Sequence, residues 1–361
     1  MLLEKSVVIR LILAVVVACG VSFLSTPLVK ALAYKVGAID VPKDNRRMHK
    51  QPIPRLGGLA IFIAFVLATL LFTKIDTQLR GILLGSVIIV ILGVIDDSMT
   101  LKALPKFFVQ IAAAAVAVLH GCRIEFISKF SATEYAQLPE WLSIALTILW
   151  IVAITNAVNF IDGLDGLAVG VSAISTATLL VIALLVSEAN IAVILAALLG
   201  ACLGFIPYNL NPAKIFMGDT GATFLGYILA CLSIQGLFKL YTIISFAVPF
   251  LILGIPIFDI CFAVIRRLFK GQNPMEADRG HIHHRIIDMG FNQKQSVAMI
   301  YMLTALLGLS AVVLTTSGEM RALVLIGTIL LVGAIGARLI FKNKHPVKPK
   351  EPLDVPEESE E

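Results

Sequence analysis

The feature that most constrains this chain is its succession of long apolar runs. Residues 141–158 and 167–186 are each long enough to cross a hydrocarbon core as a helix. Comparable runs occupy 7–29, 57–73, 79–95, 106–120, 191–207, 222–238, 242–268, 295–315 and 321–341, about eleven spans in all. Backbone amides in lipid need internal partners, which leaves helices or closed barrels, and these runs are too long for barrel strands. Composition agrees. With 58% hydrophobic residues, 15% charged residues and a mean hydropathy of +0.93, the chain does not read as a soluble domain. The expected fold class is an all-α polytopic membrane protein. The ninth run is long and carries Pro249 and Pro256, so a kink is expected there. The first run continues past Val17-Ala18-Cys19 to Val29 and reads as a retained span, not a cleaved leader. The five Cys lie singly, with no CxxC spacing, and read as packing residues.

Lys and Arg set the expected orientation. If every run crosses, the loops on one side hold 21 of the 29 basic residues and those on the other hold 8. The basic side is cytoplasmic, which puts the N-terminus outside and the C-terminus inside. Residues 1–341 then form one integral membrane domain, with residues 121–140 as a small external hairpin. Residues 342–361, Pro/Lys-rich and then acidic, read as a disordered cytoplasmic tail whose basic half lies near anionic lipid.

This topology gathers the dense polar clusters on the cytoplasmic face. The richest runs from Thr155 to Leu167 and contains Asn156, Asn159, Asp162, Gly163, Asp165 and Gly166, with no Lys or Arg to pair the carboxylates. Asp162 sits where an inbound helix ends, and the helix dipole disfavours an anion there. A cation is expected to offset that cost; the plainer reading is a polar turn with an Asp cap. Asp96 and Asp97 close the run before, two adjacent acids that oppose the dipole and repel each other. A divalent cation would relieve both penalties. Lys106 opens the next run, placed either to snorkel or to hold a phosphate at the membrane surface.

Four further features share that face. The loop 40–58 holds Arg46, Arg47, His49, Lys50 and Arg55, and ends in Gly57-Gly58; a glycine-lined helix start can bind an anion, although positive-inside charge explains the basic residues equally. Asp219, in Phe216-Met217-Gly218-Asp219-Thr220-Gly221, is either a metal ligand or a helix cap. In Asp278-Arg279-Gly280-His281-Ile282-His283-His284-Arg285, three of the six His fall within four residues, and a metal site, phosphate donors and an ordinary surface loop all remain open. Asp259 lies inside the ninth run, seven residues before Arg266, where an unpaired carboxylate would be expensive; it is expected to pair with a neighbour behind the site.

One face thus offers hard carboxylate and amide oxygens beside Lys, Arg and His. Mg²⁺ uses few protein oxygens and completes its shell with phosphate and water, so the set suits a nucleotide diphosphate. Neither GxxxxGK nor a GxGxxG in a βαβ setting is present, which removes the P-loop and Rossmann routes.

The combination resembles the polyprenyl-phosphate N-acetylhexosamine-1-phosphate transferases, most closely the WecA/TagO-like branch. The resemblance covers roughly residues 7–340. It rests on Asp96-Asp97, on Asn156 through Gly166, on Phe216 through Gly221 and on His281-Ile282-His283-His284-Arg285. The UDP-MurNAc-pentapeptide translocases carry three consecutive His in the last motif; Ile282 and Arg285 favour the UDP-GlcNAc branch. The resemblance implies transfer of GlcNAc-1-phosphate from UDP-GlcNAc to undecaprenyl phosphate at the cytoplasmic face of a bacterial inner membrane. This would begin a cell-envelope polysaccharide. It implies Mg²⁺, with Mn²⁺ as a substitute, held by Asp219 and Asn159 with Asp96 and Asp97 beside it. Asp97 and Lys106 would position or activate the lipid phosphate, and Asp162 would order its loop. Phe216 would stack the uracil with Asp165 hydrogen-bonding near it. Asn156 and Arg55 are further substrate-binding candidates, and His281, His283, His284 and Arg285 would hold diphosphate or sugar. The expected partners are both substrates and the bilayer, with no nucleic acid; a homodimer is compatible. The other-class reading is a transporter, whose sign would be ionisable residues at mid-membrane on broken helices, with an internal repeat. Here the acids lie at run ends and no repeat is evident.

Overall fold

The computed structural model describes residues 4–41, 51–128, 135–236, 243–269, 271, 280–317, 325–327 and 329–330. Arg46, Arg47, His49, Lys50, Asp278, Arg279, most of the eleventh run and the tail 342–361 lie outside the described residues.

The helices are α1 (Lys5–Val36), α2 (Gly58–Phe72), α3 (Thr77–Met99), α4 (Ala103–Leu119), α5 (Glu140–Ile161), α6 (Leu167–Leu185), α7 (Ala189–Asn209) and α8 (Gly218–Gly236). They continue with α9 (Ile243–Ile252), α10 (Gly254–Phe269), α11 (Ile282–Asp288) and α12 (Gln293–Ser317). Two short antiparallel pairs complete the set, β1 (Ile39–Asp40) with β2 (Ile53–Pro54), and β3 (Phe126–Ser128) with β4 (Tyr135–Gln137). The second pair is the hairpin expected within 121–140. Helices α1, α3, α5, α6, α7 and α12 are each long and apolar enough to cross a membrane, with α2 and α4 as shorter apolar helices. Large apolar side chains stay exposed on the outer helices, including Ile12, Leu24 and Leu28 of α1 and Phe108 of α4. A rim of this kind suits lipid rather than water.

The ninth run is two helices rather than one kinked helix. Pro256 has no N–H to donate to the Ile252 carbonyl one turn before it, and its ring crowds that turn. The carbonyl is instead satisfied by Ser175 Oγ of α6 at 2.9 Å. That side-chain bond lets the backbone break inside an apolar setting.

Helix α8 is the axis of the bundle. Thr220 through Gly236 are all buried, and α8 touches α2, α3, α5, α6 and α7. A helix that is apolar all round belongs in an interior. Its N-terminus therefore lies in the middle of one end of the bundle. The C-terminal ends of α1, α3, α5 and α7 and the N-terminal ends of α2, α4 and α6 meet there, because consecutive helices alternate direction.

Candidate active site

The site is built around the first turn of α8. Asp97, near the end of α3, accepts from the backbone N–H of Asp219 at 2.9 Å and of Thr220 at 3.0 Å, and from Thr220 Oγ1 at 2.6 Å. The first N–H groups of a helix lack intrahelical partners, and a carboxylate from another helix supplies them here. Gly218 adopts φ +71, and a Cβ there would stand 2.5 Å from Asp97 Oδ2, so the turn requires glycine. From the other side, the 54–58 segment runs along 216–217. Phe216 N–H donates to the Pro54 carbonyl at 2.8 Å, Gly57 N–H to Phe216 at 2.9 Å and Gly58 N–H to Met217 at 2.8 Å. This corrects the expectation that the Gly57-Gly58 helix start binds an anion, since its amides are spent on the 216–217 carbonyls. Arg55 stays at the cavity wall, its Nε donating to the Asp97 carbonyl at 3.1 Å and Nη2 to Thr100 Oγ1 at 3.3 Å.

Asp96 and Asp97 do not act as a pair. Asp96 Oδ1 accepts from Leu101 N–H at 2.6 Å, and Oδ2 accepts from Lys106 Nζ at 2.7 Å. Lys106 also reaches Asp219 Oδ2 at 3.1 Å. Lys106 thus bridges two carboxylates, one on α3 and one on α8. Asn159 lies beside Asp219, whose side chain is 35% exposed.

The α5–α6 turn carries Asp162, Gly163 and Asp165 into the same space. Asp162 lies just past the end of α5, and its carboxyl is pushed up to about 8, first by burial and then by the charges of Asp219, Asp97 and Asp165. Asp165 Oδ2 accepts from Asn211 Nδ2 at 2.9 Å and from Ala213 N–H at 3.0 Å, which ties the turn to the 210–217 loop and so to Phe216. Asn156 points elsewhere. Its Nδ2 donates to Gln110 Oε1 of α4 at 2.6 Å, and it is not part of the cavity lining.

Of the histidine motif, His284 lines the cavity. His281 Nδ1 lies 2.8 Å from Asp259 Oδ2, so Asp259 pairs with His281 rather than with Arg266, which instead donates to the Gly280 carbonyl at 2.8 Å. His283 is buried and stacks between its neighbours; burial, then the adjacent His284, holds its imidazole down to about 3. Arg285 lies over the Phe262 ring at 4.4 Å.

These elements enclose a cavity of about 810 Å³ lined by Arg55, Asp97, Asn159, Asp162, Asp165, Phe216, Asp219 and His284 among others. That volume lies in the range of small-molecule sites. The lining also includes Lys30, Tyr34, Gln51, Asn209, Asn211, Lys214 and Gln293, which sequence reasoning missed. Lys30 and Tyr34 sit a helical turn apart on α1, a spacing that marks one face but not what it faces. Among the described residues, no group of three or more His, Cys, Asp or Glu is placed to hold a metal ion. A smaller donor set is present: the Asp219 carboxylate with the Asn159 amide beside it, and Asp162 nearby. These hard oxygens, with Lys106 already on Asp219 Oδ2, fit Mg²⁺ or Mn²⁺ completed by phosphate and water; they do not form a closed protein cage.

The chain is similar to known proteins along most of its length. Residues 79–237 match the family model described as "Glycosyl transferase family 4". The chain is 44% identical over 312 residues, 86% of each chain, to the "Probable undecaprenyl-phosphate N-acetylglucosaminyl 1-phosphate transferase" of Bacillus subtilis. It is 33% identical to the "Decaprenyl-phosphate N-acetylglucosaminephosphotransferase" of Mycolicibacterium smegmatis, over 81% of this chain and 79% of that one. Against the "Undecaprenyl-phosphate alpha-N-acetylglucosaminyl 1-phosphate transferase" of Yersinia pestis it is 30% identical over 79% of each. A membrane bundle that gathers Asp, Asn, Lys and His around one helix start, matched by such relatives across most of its length, belongs to glycosyl transferase family 4, in its polyprenyl-phosphate N-acetylglucosamine-1-phosphate transferase group.

Proposed function

We propose that this enzyme transfers GlcNAc-1-phosphate from UDP-GlcNAc to undecaprenyl phosphate, releasing UMP, at the cytoplasmic face of a bacterial plasma membrane. One observation carries the reading: carboxylates from α3, the α5–α6 turn and α8 meet Arg55 and Phe216 in one cavity at a bundle end. A soluble anionic donor and a lipid whose phosphate lies at the surface can meet only at such an end. The basic-residue bias supports the cytoplasmic side.

A phosphomonoester is largely dianionic at neutral pH, so the acceptor needs placement more than deprotonation. An oxygen of the lipid phosphate attacks the β-phosphorus of the donor; the bond from that phosphorus to the bridging oxygen breaks, and the electron pair leaves with UMP. Phe216 offers a ring for the uracil, and Asp165 holds the loop that carries it. Arg55 at the cavity wall supplies positive charge to phosphate oxygens, and Lys106 adds its charge from behind Asp219. Asp219 and Asn159 would hold Mg²⁺, which would neutralise charge on the diphosphate and the departing UMP. The commitments of Asp96 and Asp97 support direct attack over a covalent aspartyl intermediate, because each carboxylate already accepts from groups of its own scaffold.

The test is a donor panel with detergent-purified protein, undecaprenyl phosphate and Mg²⁺. UDP-GlcNAc should outrun UDP-MurNAc-pentapeptide, and radiolabelled UMP should enter UDP-GlcNAc only when the lipid is present. Faster reaction of the pentapeptide donor overturns the donor assignment, and robust lipid-free exchange overturns direct attack. No exchange, together with movement of UDP-GlcNAc across proteoliposomes, replaces the enzyme with a transporter.

A further inference from the structure

The histidine motif packs against α10. Helix α10 grips it at three successive points. Arg266 Nη1 donates to the Gly280 carbonyl at 2.8 Å, Asp259 Oδ2 meets His281 Nδ1 at 2.8 Å, and Asp259 Oδ1 accepts from Ile282 N–H at 2.8 Å. Asp259 is 3% exposed, so both of its oxygens are spent on α11 and none on solvent. A carboxylate can only accept, so neutral His281 carries its proton on Nδ1 and leaves Nε2 as an acceptor.

From His281 the contacts run inward to the cavity. Its ring lies parallel to that of His283 at 5.8 Å and packs against Phe160, next to Asn159, at 5.7 Å. His283 presses on the α5–α6 turn so closely that a Cβ on Gly163 would fall 2.2 Å from Nε2. The His283 ring is 4.3 Å from that of His284, which lines the cavity with Asp162, Asp165 and Asp219. His283 is 2% exposed and held neutral, so it serves as a packed spacer between the two. The buried end of this chain of contacts is therefore Asp259, and the end that reaches the cavity is His284.

We propose that Asp259 is a positioning residue of the transferase: by fixing the His281 tautomer and the start of α11, it sets where His284 stands against the donor. The proposal rests on the transferase reading. Asp259 touches neither substrate, and its effect travels through His284 alone, so its loss weakens the donor step and spares the acceptor step.

The test is a double-mutant cycle in the full-length protein in detergent, read in two ways. One is steady-state KM for each substrate; the other is UDP-GlcNAc binding by calorimetry without acceptor. Asp259→Ala should raise the donor KM and the donor dissociation constant on the order of tenfold. Asp259→Asn, which keeps an acceptor for Ile282 N–H, should raise both by about threefold. The acceptor KM should stay within about twofold. In a His284→Ala background, neither Asp259 substitution should weaken donor binding further. Additive losses, a fall in kcat with donor binding unchanged, or no change at all would overturn the proposal. If Asp259→Ala fails to fold, the near-isosteric Asp259→Asn carries the cycle alone. Wild-type protein that binds UDP-GlcNAc without turning it over refutes the transferase reading; the binding cycle still decides the link from Asp259 to His284. Wild-type protein that binds no UDP-GlcNAc refutes both.

Discussion

Asp97→Asn separates two roles that the same carboxylate could play. In the structure, Asp97 serves as the anchor of α8: three donors from Asp219 and Thr220 converge on it, and its side chain is 1% exposed. Asparagine can place its carbonyl where Oδ2 accepts twice from Thr220. Its amide then faces the Asp219 N–H, two donors with no acceptor between them. A buried donor left unpaired costs about 1–3 kcal/mol. Loss of the anion at the helix N-terminus adds up to about 2 kcal/mol. Burying a neutral group instead of a charge returns part of this. The net expectation is about 2 kcal/mol for Asp97→Asn, and about 4 kcal/mol for Asp97→Ala, which removes all three bonds. In a chain of this size these correspond to midpoint shifts of roughly 3 and 5 °C. The assay is thermal unfolding in detergent, with UMP exchange measured on the same preparations. Both stability and exchange should fall in both variants, in the same order. An Asp97→Asn protein with an unchanged midpoint and no exchange would refute the anchoring argument and make Asp97 a substrate-facing group.

Three other outcomes are expected. Gly93→Ala would drive a Cβ to 2.4 Å from the Thr220 Cα, a backbone atom that cannot swing aside; α8 should shift, with a loss of about 2 kcal/mol or more and most of the activity, and wild-type stability would refute the close packing. Asp162→Asn should flatten the pH dependence of the metal-free protein's stability. The raised carboxyl binds its proton up to about 8 when folded but only to ~3.9 when unfolded, so wild-type stability falls as pH rises through that window and the variant's should fall less. For orientation, Lys214→Cys should react with an impermeant thiol reagent only from the cytoplasm and Glu188→Cys only from outside, in a background without native cysteines; labelling of both from one side would overturn the crossing pattern.

Much of the architecture was legible in the one-dimensional pattern. Apolar runs announce membrane helices because lipid leaves the backbone no other partner. Glycines and acids at the run ends mark the functional end, because an unpaired charge is expensive within lipid. The break at Pro256 was foreseeable as a disturbance. That it yields two helices depended on Ser175 of another helix reaching the freed carbonyl.

The roles within the polar clusters were decided by tertiary structure alone. Asp96 and Asp97 are neighbours in sequence, yet one takes Lys106 and Leu101 while the other takes the start of α8. Asn156 and Asn159 lie three apart on one helix, yet one faces Gln110 and the other Asp219. Of four ionisable residues in the histidine motif, His284 faces the cavity, and the rest pack against Asp259, Gly163 and Phe262. Spacing along a chain says which residues share a helical face. What that face meets is set by which helices pack around α8 and by the small residues that let them approach, and these are contacts between segments far apart in the chain, Gln110 with Asn156 and Asp97 with Thr220 among them.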